Sequence, residues 1–222
     1  MNFIKYIKMP VSLRRFYNLY KNKEFSILDI GCGNYSASVT KKYFAECKYY
    51  GVDKGVYNNS DYDFQLMTEF YKLDLEKDSL ADIPDNFFDV IIMNHVIEHI
   101  VNGIEIVDIL SKKIKDGGRI YIETPSVRSL SLPSQPGTLN FCDDKTHKKL
   151  YDIIDIANVL IKNNFRIIKA GTRRDKIGIF FSPYFVLKKF IKKESISGFS
   201  VWDLTGFAWF IFAEKRLEIV EK

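Results

Sequence analysis

His95, Glu98 and His99 stand in the order H-x-x-E-H within NHVIEHI, residues 94–100. Two histidines four apart on one helix present both rings to a single ion, and a neighbouring carboxylate polarises its bound water, which is zinc-hydrolase chemistry. That reading needs both histidines inside a long helix and a third ligand downstream. The chain has three histidines in all, and the third, His147, lies in FCDDKTHKK. A histidine is also the natural general base near neutral pH. His147 is the first candidate for that role, with Asp143 and Asp144 placed to orient its ring or meet substrate hydroxyls, and His95 competes with it.

A second constellation precedes the histidines. ILDIGCGN carries Asp29, Gly31, Cys32 and Gly33, and GVD ends at Asp53, twenty residues after Gly33. Glycines after a strand let a bulky ligand approach the backbone, and an acid at that distance suits the two hydroxyls of a ribose. Ser36 stands where a pyrophosphate-binding turn wants a third glycine, which argues against a dinucleotide. Asp74 and Leu75 follow in LDL.

These residues need strands to end beneath them. FSILDI at 25–30, KYYGV running to Asp53, FYKL closed by Asp74 and FFDVIIMN each read as short buried strands. RIYIET, FRIIKAGT and FAWFIFAEK complete a set of seven. Helical spacing appears at about Ser36 to Phe44, from Gly103 to Ile114 with Gly117-Gly118 as its terminator, and over 151–161. Strands alternating with helices imply a Rossmann-like α/β/α sandwich with a mostly parallel seven-stranded sheet. His95 then sits directly after the fourth strand rather than inside a helix, which removes the hydrolase reading and leaves Glu98 and His99 as structural groups at the start of the next helix.

The 222 residues suit one such domain, covering 25–222, behind a basic helical extension at 1–24. Long insertions are expected at about 125–150 and 174–206. Composition, with 46% hydrophobic and 27% charged residues, excludes a disordered chain. The three scattered cysteines form no C-x-x-C pair and point to a reducing compartment. No apolar run is long enough to span a membrane and no signal peptide is visible, so a cytoplasmic protein is expected. The net charge of +5 concentrates in six Lys or Arg among residues 1–23 and in KKFIKK at 188–193, which suggests peripheral contact with the inner face of a membrane or an anionic acceptor.

LDIGCGN, GVD, LDL, FFDVIIMNHVIEHI and KDGGRIYIETP resemble, in order and spacing, the successive motifs of class I S-adenosylmethionine-dependent methyltransferases, of the type 11/12 kind. The resemblance covers about residues 25–125. It implies S-adenosylmethionine as cofactor and S-adenosylhomocysteine as product. Asp29, Gly31, Cys32 and Gly33 would line the methionine end, Asp53 the ribose, Asp74 and Leu75 the adenine, and Asn94 and His95 the mouth beside the sulfonium. The late histidine and the aromatic basic insertion resemble bacterial surface-polysaccharide methyltransferases, which implies O-methylation of a hydroxyl on a small molecule, glycan or glycolipid. An RNA 2′-O-methyltransferase is the alternative enzyme, although nucleic acid is not the expected partner, and a non-catalytic cofactor-binding protein is the alternative class. RNA methyltransferases of small-RNA 3′ ends carry E-x-x-E-H and a later histidine around a metal. His95 departs from that pattern, so no metal is expected. Oligomeric state is left open.

Overall fold

The computed structural model describes residues 3–135, 137–192 and 201–217. Strand β1 (Phe25–Ile30) is buried at every position, as a strand with neighbours on both sides and helices on both faces must be. It pairs in parallel with β2 (Cys47–Asp53) and β4 (Phe88–Asn94). Outward from these, β3 (Glu69–Lys72) joins β2 and β5 (Ile114–Pro125) joins β4, again in parallel. The last strand, β7 (Ala208–Lys215), inserts antiparallel between β5 and β6 (Phe165–Thr172). The order β3-β2-β1-β4-β5-β7-β6 is the expected mostly parallel seven-stranded sheet.

Alternation along each strand sends side chains to two cores. On one face, α5 (Gly103–Lys113) and α6 (Ile153–Lys162) set Ile106, Leu110, Ile156 and Leu160 against Leu28, Ile30, Met93 and Ile122. On the other, α2 (Val11–Tyr20) and α3 (Ser36–Lys41) set Leu13, Phe16 and Ala37 against Phe25, Ile27, Tyr49 and Ile92. The segment read as an extension is helical, beginning with α1 (Phe3–Ile7), yet α2 is a working part of the second core. Phe16 meets Phe212 of β7 edge to face at 5.4 Å. Buried side chains of this size contribute about 1.5–3 kcal/mol each.

One local expectation differs from what is found. Gly117 and Gly118 do not end α5, because the helix stops at Lys113 and β5 begins at the next residue. The two glycines lie inside β5, where Gly117 takes φ +76° and the pairing with β4 shifts register between Phe88 and Val90. They bend a strand instead of terminating a helix. The stretch after β2 holds a further short helix, α4 (Asp61–Leu66), opened by a capping box between Ser60 and Asp63.

Among the described residues, the long stretch after β5 contains only single turns, Val127–Ser131 and Phe141–Asp143. The later one folds into α7 (Lys176–Ile191) and α8 (Trp202–Thr205), while 193–200, including the end of the 188–193 basic cluster, fall outside the described residues. Among the described residues no helix is long and apolar enough to cross a membrane.

Candidate functional site

Polar side chains stand at or near the carboxyl ends of β1, β2, β4 and β5, at Asp29, Asp53, Asn94 and Glu123, and α2 meets that edge where Ser12 reaches Asn94. Gly31 follows β1 at φ +75°, and a Cβ there would lie 2.3 Å from Val96 Cγ2. Gly33 is equally constrained, since its Cβ would come within 2.8 Å of the Tyr57 carbonyl. That carbonyl accepts the Asn34 N–H at 2.8 Å, and Asn59 binds the Tyr35 N–H and the Cys32 carbonyl, so residues 57–59 clasp the glycine turn.

Asp29 points to the α2 side of the sheet and accepts the Tyr49 hydroxyl at 2.6 Å. Burial pushes its carboxyl up to about 7, against that hydrogen bond, with the nearby Asp53 charge adding to the rise. Cys32 is fully buried, and burial pushes its thiol up, so it packs and does not react. Asp53 ends β2, partly exposed, with one oxygen accepting the Gly55 N–H at 3.2 Å. Asp74 is turned to local work, accepting the Glu76 N–H at 3.1 Å and pairing with Lys77. Leu75 packs on the first core. Register pairs Ile30 with Met93, so Asn94 stands beside Gly31. Its Nδ2 donates to Ser12 Oγ on α2 at 3.3 Å, while its buried Oδ1 has no partner among the described residues.

His95 takes a left-handed φ of +52°, which swings its ring over the end of β5. Nδ1 lies 3.1 Å from Glu98 Oε1 and Nε2 lies 3.0 Å from Glu123 Oε1. Ionised carboxylates only accept, so both nitrogens carry protons. Burial opposes the charged ring, but the two carboxylates overcome it and raise its pKa to about 9. With both nitrogens engaged by carboxylates, the ring in its charged form has no lone pair to offer. Glu123 is held in turn by Arg173 at 2.7 Å, and Arg173 makes a two-pronged pair with Asp203. Burial alone would lift the Glu123 carboxyl, yet Arg173 and His95 bring it down to about 2. Trp202 and Phe207 stack on each other at 4.4 Å and wall the far side of the His95 ring.

The H-x-x-E-H residues do not share one helix. His95 precedes the single turn Ile97–His99, and His99 faces away from it toward His147, ring to ring at 4.9 Å. Nor does either Glu98 or His99 cap α5, since the Gly103 N–H goes to the Tyr151 hydroxyl at 2.8 Å. Glu98 is fully buried, with Oε2 accepting from Thr124 at 3.2 Å. His147 hydrogen-bonds the Phe141 carbonyl through Nδ1, leaving Nε2 directed toward Asp144 Oδ2, 3.9 Å away. Asp143 is excluded from that group. Its carboxylate accepts from Ser134 and from the N–H groups of Gln135, Leu139 and Asn140, which hold its pKa at about 2 although burial acts the other way.

Thus Asp29, Gly31, Gly33, Asp53, Asn94 and His95 gather at one end of the sheet, with His147 and Asp144 on its rim, while Asp74 and Leu75 serve their own turn and core. Ser12, Glu123, Arg173, Asp203 and Trp202 also form the site without having been singled out from the sequence. The sole signal was the alternation of Arg119, Tyr121 and Glu123 with Ile120 and Ile122 in RIYIET.

This geometry can be set beside known proteins. A family model described as a methyltransferase domain matches residues 7–170. No curated protein matches in sequence. Among solved structures, a SAM-dependent methyltransferase from Archaeoglobus fulgidus is 21% identical with TM-score 0.59, covering 92% of this chain and 91% of that one. One from Mesorhizobium loti is 14% identical with TM-score 0.61, covering 92% and 96%. Phosphoethanolamine N-methyltransferase 2 of Haemonchus contortus, in complex with S-adenosyl-L-methionine, is 18% identical with TM-score 0.62, covering 97% of this chain and 53% of that one. With strand order, turn and family model in agreement, the chain belongs to the methyltransferase-domain family and has the class I, S-adenosylmethionine-dependent methyltransferase fold that its motifs led one to expect.

Proposed function

We propose that the chain binds S-adenosylmethionine beneath α2 and methylates a hydroxyl of a small molecule, glycan or glycolipid. The observation that carries the cofactor reading is Asn94 Oδ1, a buried acceptor beside the Gly31 turn without a partner among the described residues. An unpaired buried acceptor costs about 1–3 kcal/mol, and the ammonium of a methionine moiety would satisfy it. Asp53 has an oxygen left to accept from a ribose diol. The residues therefore fit the group, which when bound supplies the methyl as a sulfonium electrophile.

What the chain itself does is bind, align and handle a proton. Alignment of nucleophile and methyl carries most of such a reaction. His95 holds its protons and contributes fixed positive charge, whereas His147, through Nε2, is positioned to receive one. Exposed Phe180, Phe190 and Ile191 on α7, in a lysine-containing segment, support a membrane-peripheral setting and a surface-polysaccharide or glycolipid pathway.

The test is transfer of radiolabelled methyl from S-adenosylmethionine to a screen of sugar nucleotides, glycolipids and RNA oligomers. Labelled sugar or lipid bears the reading out. Transfer to RNA, with a strongly salt-dependent affinity, replaces it by the nucleic-acid alternative. Cofactor binding with no transfer to any of them indicates the non-catalytic class.

A further inference from the structure

We propose that Glu98, His99 and His147 form a binding site for a divalent first-row transition ion. One donor atom from each lies within 4.8 Å of the others. Ligands placed about 2.0–2.2 Å from a common ion are roughly 3–4 Å apart, so small side-chain rotations close the set. The two segments that carry them are stitched together by backbone. The N–H groups of Lys148 and Lys149 both donate to the Glu98 carbonyl, at 2.8 and 3.2 Å.

Hydrogen bonding fixes the histidine tautomers in the form a metal needs. His147 Nδ1 faces the Phe141 carbonyl at 2.6 Å, and a carbonyl only accepts, so Nδ1 bears the proton and the lone pair is on Nε2. His99 Nδ1 faces Thr146 Oγ1 at 3.0 Å. That hydroxyl has one proton, and it is committed to Asp144 Oδ1 at 2.6 Å. Toward His99 it can only accept, so there too the lone pair is on Nε2. Metal-ligating histidines are held in this way, with the distal N–H donated to a carbonyl or hydroxyl. Glu98 completes the set as a fully buried carboxylate whose oxygens each take one hydrogen bond and keep lone pairs free. Asp144 Oδ2, 3.9 Å from His147 Nε2, is a further oxygen at the rim.

Two imidazoles and a carboxylate suit zinc, cobalt, manganese or iron better than magnesium or calcium, which prefer oxygen alone. Three protein ligands leave coordination positions for water or substrate. An acceptor hydroxyl bound there would lose its proton to solvent more readily, His147 then serving as ligand and not as base. This last step rests on the methyltransferase reading, whereas the ion site does not.

The test uses the full chain stripped with chelator and titrated with Co²⁺. One equivalent should bind with visible ligand-field absorption, displaced by Zn²⁺ and not by millimolar Mg²⁺. His147→Ala and His99→Gln should each weaken binding by at least about 10-fold, and Thr146→Val, which frees the His99 tautomer, by about 10-fold. S-adenosylhomocysteine affinity and circular dichroism identify variants that are still folded. A folded wild-type protein showing no saturable Co²⁺ absorption overturns the proposal, as does absorption unchanged in both histidine variants. Because the readout is the ion itself, failure to find an acceptor leaves this result standing on its own.

Discussion

His95 and Glu123 face each other across the ends of β4 and β5, Nε2 3.0 Å from Oε1, with Arg173 closing on the same oxygen at 2.7 Å. Removing the shared carboxylate leaves His95 with Glu98 alone and Arg173 with Asp203 alone, each short of one buried counter-charge. Glu123→Ala should lower unfolding free energy by about 3–5 kcal/mol in urea denaturation. A loss below about 1 kcal/mol would mean that solvent reaches this pair.

Asp53→Ala should weaken S-adenosylhomocysteine binding by about 10- to 100-fold, the worth of charge-assisted hydrogen bonds to a ribose. Calorimetry measures it directly. Unchanged affinity takes Asp53 out of the site.

Asp29 gives the stability a pH dependence of defined sign. Its folded pKa, lifted to about 7 by burial, lies above the unfolded value of about 3.9, so between those values the native state holds a proton that the unfolded state has released. Its contribution therefore favours folding below about pH 4 and is lost progressively as pH rises toward 7. Asp29→Asn should flatten the fall in melting temperature over that window relative to the parent protein. Parallel curves for the two would show that Asp29 ionises normally.

His147→Ala should reduce kcat about 100-fold while leaving cofactor affinity nearly unchanged, since removing either a base or a ligand acts on the reacting hydroxyl. His95→Ala should show itself first as lost stability, because its ring neutralises two buried carboxylates. Wild-type kcat in the histidine-147 variant would place proton removal elsewhere.

The sheet was legible because its strands are apolar runs closed by Gly, Asp or Pro, and period and punctuation are local signals. The positions of the glycine turn after β1 and of Asp53 at the end of β2 were legible for the same reason. Arg173 and Asp203 were not. Each is unremarkable in its own neighbourhood and becomes part of the site only because β7 folds back between β5 and β6, bringing the start of α7 and α8 over the strand ends. Gly117-Gly118 misled because a glycine pair marks a helix end and a strand bend equally well. The positive φ of His95, which sends its ring to Glu123 and parts it from His99, leaves no trace in the spacing of H-x-x-E-H.

The placement of β7 also sets a timetable for synthesis. Among the described residues, β6 pairs with no strand but β7, and Phe16 of α2 rests on Phe212, so an early helix and a late strand both wait for a segment that follows the other described elements. As the polypeptide emerges from the ribosome, β1 to β5 can assemble in order while α2 keeps part of its apolar face exposed and β6 keeps both edges open. Closure is then a single late event, and a chain stalled or clipped before Ala208 presents unpaired edge and bare aromatic surface to its neighbours.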